Sequence, residues 1–199
     1  GKSSFCLQDY AVLVVLGGPD SANDTTPKML EEIQLIQEAL KRQMPYLGIC
    51  LGMQTLVKAA GGTVFKNSVQ EVGFRDPENQ LFYVELTSAG IQDPIFNELD
   101  KNLFVFQLHG ETVELLPHMQ LLAEGKFCKN QVVKIGKNAY GFQCHFELTE
   151  EMFQCWTVQD PDLAQANQVQ LQQDFNSLKK QYTDIGLKLF RNFFTIAGL

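Results

Sequence analysis

The chain has 199 residues, of which 45% are hydrophobic, and a formal net charge of -7. That is enough apolar material to fill the core of one domain spanning 1–199 without metal or disulfide staples. The acidic balance leaves no basic surface for phosphate backbones or anionic membranes, which excludes nucleic acid as a partner.

Five cysteines, Cys6, Cys50, Cys128, Cys144 and Cys155, form no CxxC pair of the kind that holds zinc or cycles a redox centre. They imply a reducing compartment and no metal. No apolar run approaches the length of about 18 residues that argues a membrane span, and the start of the chain lacks the regions of a signal peptide. A cytoplasmic protein with no membrane partner is expected.

The first predicted element is "YAVLVVLGG" (10–18), a Val-rich run closed by two glycines, which reads as a strand buried on both faces. Then "TPKMLEEIQLIQEALKRQ" spaces Met29, Ile33, Ile36 and Leu40 by threes and fours behind Pro27, an amphipathic helix. Past Pro45, "YLGI" leads directly to Cys50, and "LGMQTLVKAAGG" is a second helix that stops at Gly61 and Gly62. Cys50 therefore stands at a strand-to-helix junction.

From residue 63 to about 145 the pattern changes to short strands: "TVF", "LFYVEL", "LFVFQLH", "QLLAEG", "QVVKIG" and "AYGFQCHF". From Asp162 onward, Leu171, Phe175, Leu178, Tyr182, Ile185, Leu189 and Phe193 form an apolar helical stripe that packs on the core, with Gly186 as a break.

Cys50 lies between Gly48 and Gly52 as G-x-C-x-G. Small neighbours are what a nucleophile on a sharp turn needs, because the flanking chain passes close to it. The helix that starts there adds backbone N–H groups and a positive dipole end, which favour a thiolate and an oxyanion. The competing reading is a buried, inert cysteine. A thiolate nucleophile also needs an imidazole and a group to orient it. His145 and Glu147 in "GFQCHFEL" are the best such pair, two residues apart and able to share a face. Cys144 then points to the opposite face, into the core. His109 and Gly110 in "FQLHGET" end another strand and are candidates for lining the same pocket, whereas His118 follows Pro117 in a surface loop. Cys6, Cys128 and Cys155 read as structural.

Four blocks, "LVVLGGPDS" (13–21), "YLGICLGMQTLVKAAGG" (46–62), "FQLHGETVELLP" (106–117) and "GFQCHFELTEEM" (141–152), together resemble a class I glutamine amidotransferase domain. The likeness is to stand-alone proteins related to the glutaminase domain of GMP synthase. It implies a three-layer α/β/α fold with a mostly parallel central sheet, no cofactor, and a catalytic triad of Cys50, His145 and Glu147. It also implies an oxyanion hole from the backbone of Gly18 and Leu51, and contacts to the substrate by Gln54 and by Val72 and Gly73 in "EVGF". Phe146 departs from the family, which usually has proline there. Family members usually carry a strand and helix before "LVVLGGP", so a missing first strand and helix is expected here.

The resemblance implies attack by the thiolate on a γ-glutamyl amide, release of ammonia or an amine, and hydrolysis of the thioester to glutamate. Three functions follow: a glutaminase-type amidotransferase that supplies a separate synthetase subunit, a γ-glutamyl hydrolase or peptidase acting alone, and a binding module that has lost turnover.

Overall fold

In the computed structural model, which describes residues 7–199, the elements run β1 (Leu13–Val15), α1 (Pro27–Lys41), β2 (Tyr46–Ile49), α2 (Leu51–Ala59), β3 (Thr63–Gly73), β4 (Tyr83–Leu86) and α3 (Ser88–Gln92). Then come β5 (Asn102–Phe104), β6 (Gln107–Glu114), β7 (Met119–Glu124), β8 (Val132–Ile135), β9 (Ala139–Phe142), α4 (Glu150–Gln159), α5 (Pro161–Gln165) and α6 (Gln168–Ala197). The reading of Cys6 lies outside the described residues.

The central sheet is mixed, in the order β1-β2-β9-β8-β7-β4-β5. β1, β2 and β9 run parallel, and the rest of the sheet continues antiparallel from β9. The parallel part carries the all-buried strands "YLGI" and "AYGF", as expected of strands covered on both faces. One face packs Met29, Ile36 and Ala39 of α1 with Met53, Leu56 and Val57 of α2. The other packs Ile185, Leu189 and Phe193 of α6. The result is the expected α/β/α layering, with each fully buried large apolar side chain contributing about 1.5–3 kcal/mol.

Local signals set the helix starts. Thr26 caps α1 by accepting from the Met29 N–H, with Pro27 in the first turn. Thr149 caps α4 in the same way, accepting from Met152, and Asn167 caps α6, accepting from Gln170.

Three expectations change. Among the described residues β1 is an edge strand of the sheet, with Val14 and, past its end, Leu16 exposed, so it is not buried on both faces. "LFVFQLH" is not one strand: β5 ends at Phe104 and β6 begins at Gln107, so His109 falls inside β6 rather than at a strand end. β6 leaves the central sheet and pairs with the long β3 as a separate two-stranded sheet. Gly186 does not break α6, which is continuous over 30 residues. It is small because a Cβ there would come within 2.2 Å of the Phe146 carbonyl oxygen, so its role is close approach between helix and loop.

A third apolar cluster joins Phe74 and Phe106 to Phe153 of α4, Leu163 of α5, and Leu171, Phe175 and Tyr182 of α6. Phe153 and Phe175 stack with centroids 4.3 Å apart. This cluster fixes α4 and α5 beside the ends of β1 and β2. No helix among the described residues is long and apolar enough to cross a membrane.

Candidate active site

Cys50 holds φ 53° and ψ -107° at the start of α2, a conformation that costs an L-residue about 1–3 kcal/mol. Its surroundings enforce it. The Cys50 N–H donates to the Phe142 carbonyl at 2.7 Å, and the Tyr46 hydroxyl donates to the Gly52 carbonyl at 2.7 Å. The two glycines allow the turn to close: a Cβ at Gly48 would lie 2.3 Å from Gly52 O, and one at Gly52 would lie 2.1 Å from Val15 O. The G-x-C-x-G spacing therefore reflects backbone crossing backbone.

His145 and Glu147 lie just beyond the end of β9, not on it. His145 Nδ1 is 2.7 Å from Glu147 Oε1, and the other carboxylate oxygen accepts the Phe146 N–H at 2.9 Å. A proline at 146 would have no N–H to give, so the departure from the family pattern adds a bond to the carboxylate. The Phe146 ring is buried against Phe142 and Phe190. Two elements hold this loop. The His145 N–H donates to the Phe106 carbonyl, and Tyr182 of α6 donates its hydroxyl to the His145 carbonyl at 2.7 Å.

Gly17, at the end of the first strand, shows how near the pair comes. A Cβ on Gly17 would lie 3.2 Å from His145 Cε1 and 3.4 Å from Cys50 Cβ. With Nδ1 held by Glu147, Nε2 has no aligned hydrogen-bond partner among the described residues. Burial, the largest single influence, would lower the imidazole pKa. The charge of Glu147 and the interactions with Cys50 and Glu147 outweigh it and push the value up to about 10. A protonated imidazole can give a proton to a departing group and, once neutral, take one back.

Two cavities open on Cys50. One, of about 470 Å³, is also lined by Gly18, His145, Glu147, Met152 and Trp156. The other, of about 310 Å³, is also lined by Gly18, Leu51, Gln54, Gly110 and Glu111. Gly18 lines both cavities and Leu51 lines the smaller one. Gln54 is buried and donates to the Gln143 side-chain oxygen at 3.1 Å, while Gln143 Nε2 lies 3.7 Å from the Cys50 sulfur.

His109 lines the smaller cavity through its backbone, because its imidazole is turned inward. Nε2 is 2.8 Å from Glu71 Oε2, directly opposite on β3, and Nδ1 faces the Glu111 carbonyl at 3.0 Å. Val72 and Gly73 are not brought to the site. They pair with Leu108 and Gln107 on the ladder and line neither cavity, with Val72 facing a separate cleft beside Phe74 and Arg75. The sequence reading missed Gln143, Glu111 and Trp156. Gln143 and Glu111 sit inside quoted blocks, and Trp156 is the one tryptophan of the sequence, placed with its ring 5.1 Å from that of His145.

Glu71, His109 and Cys128 bring their ligand atoms within 4.8 Å of one another in the interior. Each already has a protein partner: Glu71 accepts from Gln131, and Cys128 contacts the Thr112 hydroxyl. Burial pushes the Cys128 thiol up to about 11 and the Cys144 thiol higher still. Cys144 is core, as expected. Cys155 is exposed on α4 rather than structural.

The family model for glutamine amidotransferase class-I matches residues 2–156. The chain is 32% identical over 148 residues to the glutamine amidotransferase-like protein YfeJ of Salmonella typhimurium, covering 72% of this chain and 59% of that protein. It is 30% identical over 142 residues to a GMP synthase of Borreliella burgdorferi, covering 71% and 25%. It is 30% identical over 146 residues to a gamma-glutamyl-L-1-hydroxyisopropylamide hydrolase of a Pseudomonas species, covering 72% and 49%. The chain therefore spans less than two thirds of each of these relatives. Among solved structures, a glutamine amidotransferase of Thermotoga maritima superposes with a TM-score of 0.82 at 28% identity, over 96% of this chain and 81% of that one.

Proposed function

The chain belongs to the class I glutamine amidotransferase family, and from that premise we propose that it hydrolyses a γ-glutamyl amide through a thioester on Cys50. The observation that carries this reading is the convergence of Cys50 and His145 around Gly17, with His145 held by Glu147 at 2.7 Å.

In the proposed reaction the Cys50 thiolate attacks the γ-carbonyl carbon, and the oxyanion is held by the backbone N–H groups of Gly18 and Leu51. The C–N bond breaks as His145 gives its proton from Nε2 to the departing nitrogen, so ammonia or an amine leaves. His145, now neutral, takes a proton from water, which attacks the thioester. The C–S bond breaks, and glutamate leaves with the thiolate and imidazolium restored. Glu147 keeps the imidazole in one tautomer and supports its charge. Gln54, with the backbone of Gly110, positions the glutamyl group. A reducing, cytoplasmic setting suits a mechanism that needs Cys50 as a free thiol.

Supply of ammonia to a separate synthetase subunit is a second reading that uses the same chemistry. It is favoured by the match to GMP synthase, of which this chain covers a quarter. A glutamine-mimicking electrophile tests the shared step by peptide mapping. Label on Cys50 that glutamine or a γ-glutamyl amide protects is the expected result. Label confined to the exposed Cys155, unaffected by either compound, would overturn the proposal.

A further inference from the structure

The two cavities that meet at Cys50 present different chemistry. His145 and Glu147 line only the larger one, and Gln54, Gln70 and Glu111 line only the smaller. A general acid that protonates a departing nitrogen must stand on the leaving-group side of the scissile bond. This assigns the larger cavity to the amine and the smaller to the γ-glutamyl group. The smaller cavity suits that group, because a γ-glutamyl unit carries both an ammonium and a carboxylate, and this cavity is lined by Asp20, Glu111 and Asp162 and also by the amide donors Gln54 and Gln70.

The amine side is built for something larger than ammonia. Ammonia is about the size of a water molecule, roughly 30 Å³ in its liquid, whereas this cavity measures about 470 Å³. Its walls include Leu16, Leu108, Met152 and Trp156. Leu16 is 55% exposed, so an apolar side chain lies open to solvent beside this cavity. Trp156 is held in place: its ring packs 6.4 Å from that of Phe106 and 5.1 Å from that of His145. It forms a fixed apolar wall next to the proton donor.

We propose that the substrates are γ-glutamyl amides of apolar, ring-bearing or branched amines, with Trp156 and Leu16 as the residues that select the amine. This rests on the thioester reading above. The reaction balances as before, with the apolar amine leaving in place of ammonia after it takes the proton from His145.

The test compares γ-glutamyl benzylamide with glutamine as substrates of the purified chain, beside Trp156→Ala, Leu16→Asp and Cys50→Ala. Benzylamine and ammonia are close in basicity, so the ratio of the two kcat/KM values reads the cavity rather than the intrinsic ease of departure. The expected ratio favours benzylamide by about tenfold or more. Trp156→Ala and Leu16→Asp should each bring it toward unity. Leu16 is at the surface, so its variant reads the cavity even if the Trp156 variant folds poorly. Cys50-dependent turnover with a ratio at or below unity, or a ratio that neither variant moves, would overturn the amine assignment and leave the thioester reading standing. Turnover that survives in Cys50→Ala would overturn both.

Discussion

The Phe146 N–H donates to Glu147 Oε2 at 2.9 Å while Oε1 of the same carboxylate faces His145 Nδ1 at 2.7 Å. The carboxylate is thereby fixed by its immediate neighbour in sequence. Phe146→Leu keeps this bond and loses part of the ring packing on Phe142 and Phe190, a cost of about 1 kcal/mol in stability. Phe146→Pro removes the N–H as well. Hydrogen bonds to charged groups are worth about 1.5–3 kcal/mol, so kcat should fall about tenfold or more below that of the leucine variant. Steady-state kinetics with thermal melts of both variants would check the split.

Gly186 lies under the Phe146 carbonyl and one helical turn from Tyr182, which donates to the His145 carbonyl. Gly186→Ala would place a Cβ 2.2 Å from a backbone oxygen. Either α6 or the His145–Glu147 loop must then move. Destabilisation of about 2–3 kcal/mol is expected, against the helix propensity gain of about 1 kcal/mol that the same substitution brings at an open site. Denaturant unfolding of the variant measures it.

The backbone of Cys50 predicts an inverted stability ranking of two variants at that position. Glycine in place of alanine ordinarily costs stability through the unfolded chain, by about 0.4–1 kcal/mol. At φ 53° and ψ -107° the strain relieved, about 1–3 kcal/mol, is the larger effect. Cys50→Gly should therefore melt above Cys50→Ala, by an amount equivalent to about 1 kcal/mol, as calorimetry would show.

Glu147 supports a pH prediction with a definite sign. The folded imidazole titrates near 10, above its ordinary value of 6.5. The stability that this shift contributes is fully present below about 6.5 and is lost as pH rises through about 10. Glu147→Gln removes the charge that holds the value up. The variant's folded-state pKa should fall, the alkaline limb of its activity should move to lower pH, and its stability deficit should shrink as pH rises toward 10. NMR titration of His145 and pH-dependent melts would check both.

Much of this site was legible because its residues obey local rules. Gly48, Cys50 and Gly52 mark an elbow through the need for backbone to cross backbone. His145 and Glu147 are close in sequence, so a single bend brings imidazole to carboxylate. What was hidden depends on long-range packing. Gln143 reaches Cys50 only because β9 lies beside β2, and Trp156 faces His145 only because the cluster around Phe153 and Phe175 docks α4. His109 looked like a strand end because "LFVFQLH" is continuously apolar, whereas the chain leaves one sheet for another at Val105 and Phe106. Gly186 looked like a helix break, and only the position of the Phe146 carbonyl explains it.

The most direct measurement is glutamate release from glutamine and a γ-glutamyl amide by the purified chain, beside Cys50→Ala and His145→Ala. The proposed mechanism predicts turnover that both substitutions abolish, with the variants folded by circular dichroism. Turnover that persists in Cys50→Ala, or no release of glutamate from any γ-glutamyl amide by a folded parent chain, would contradict it.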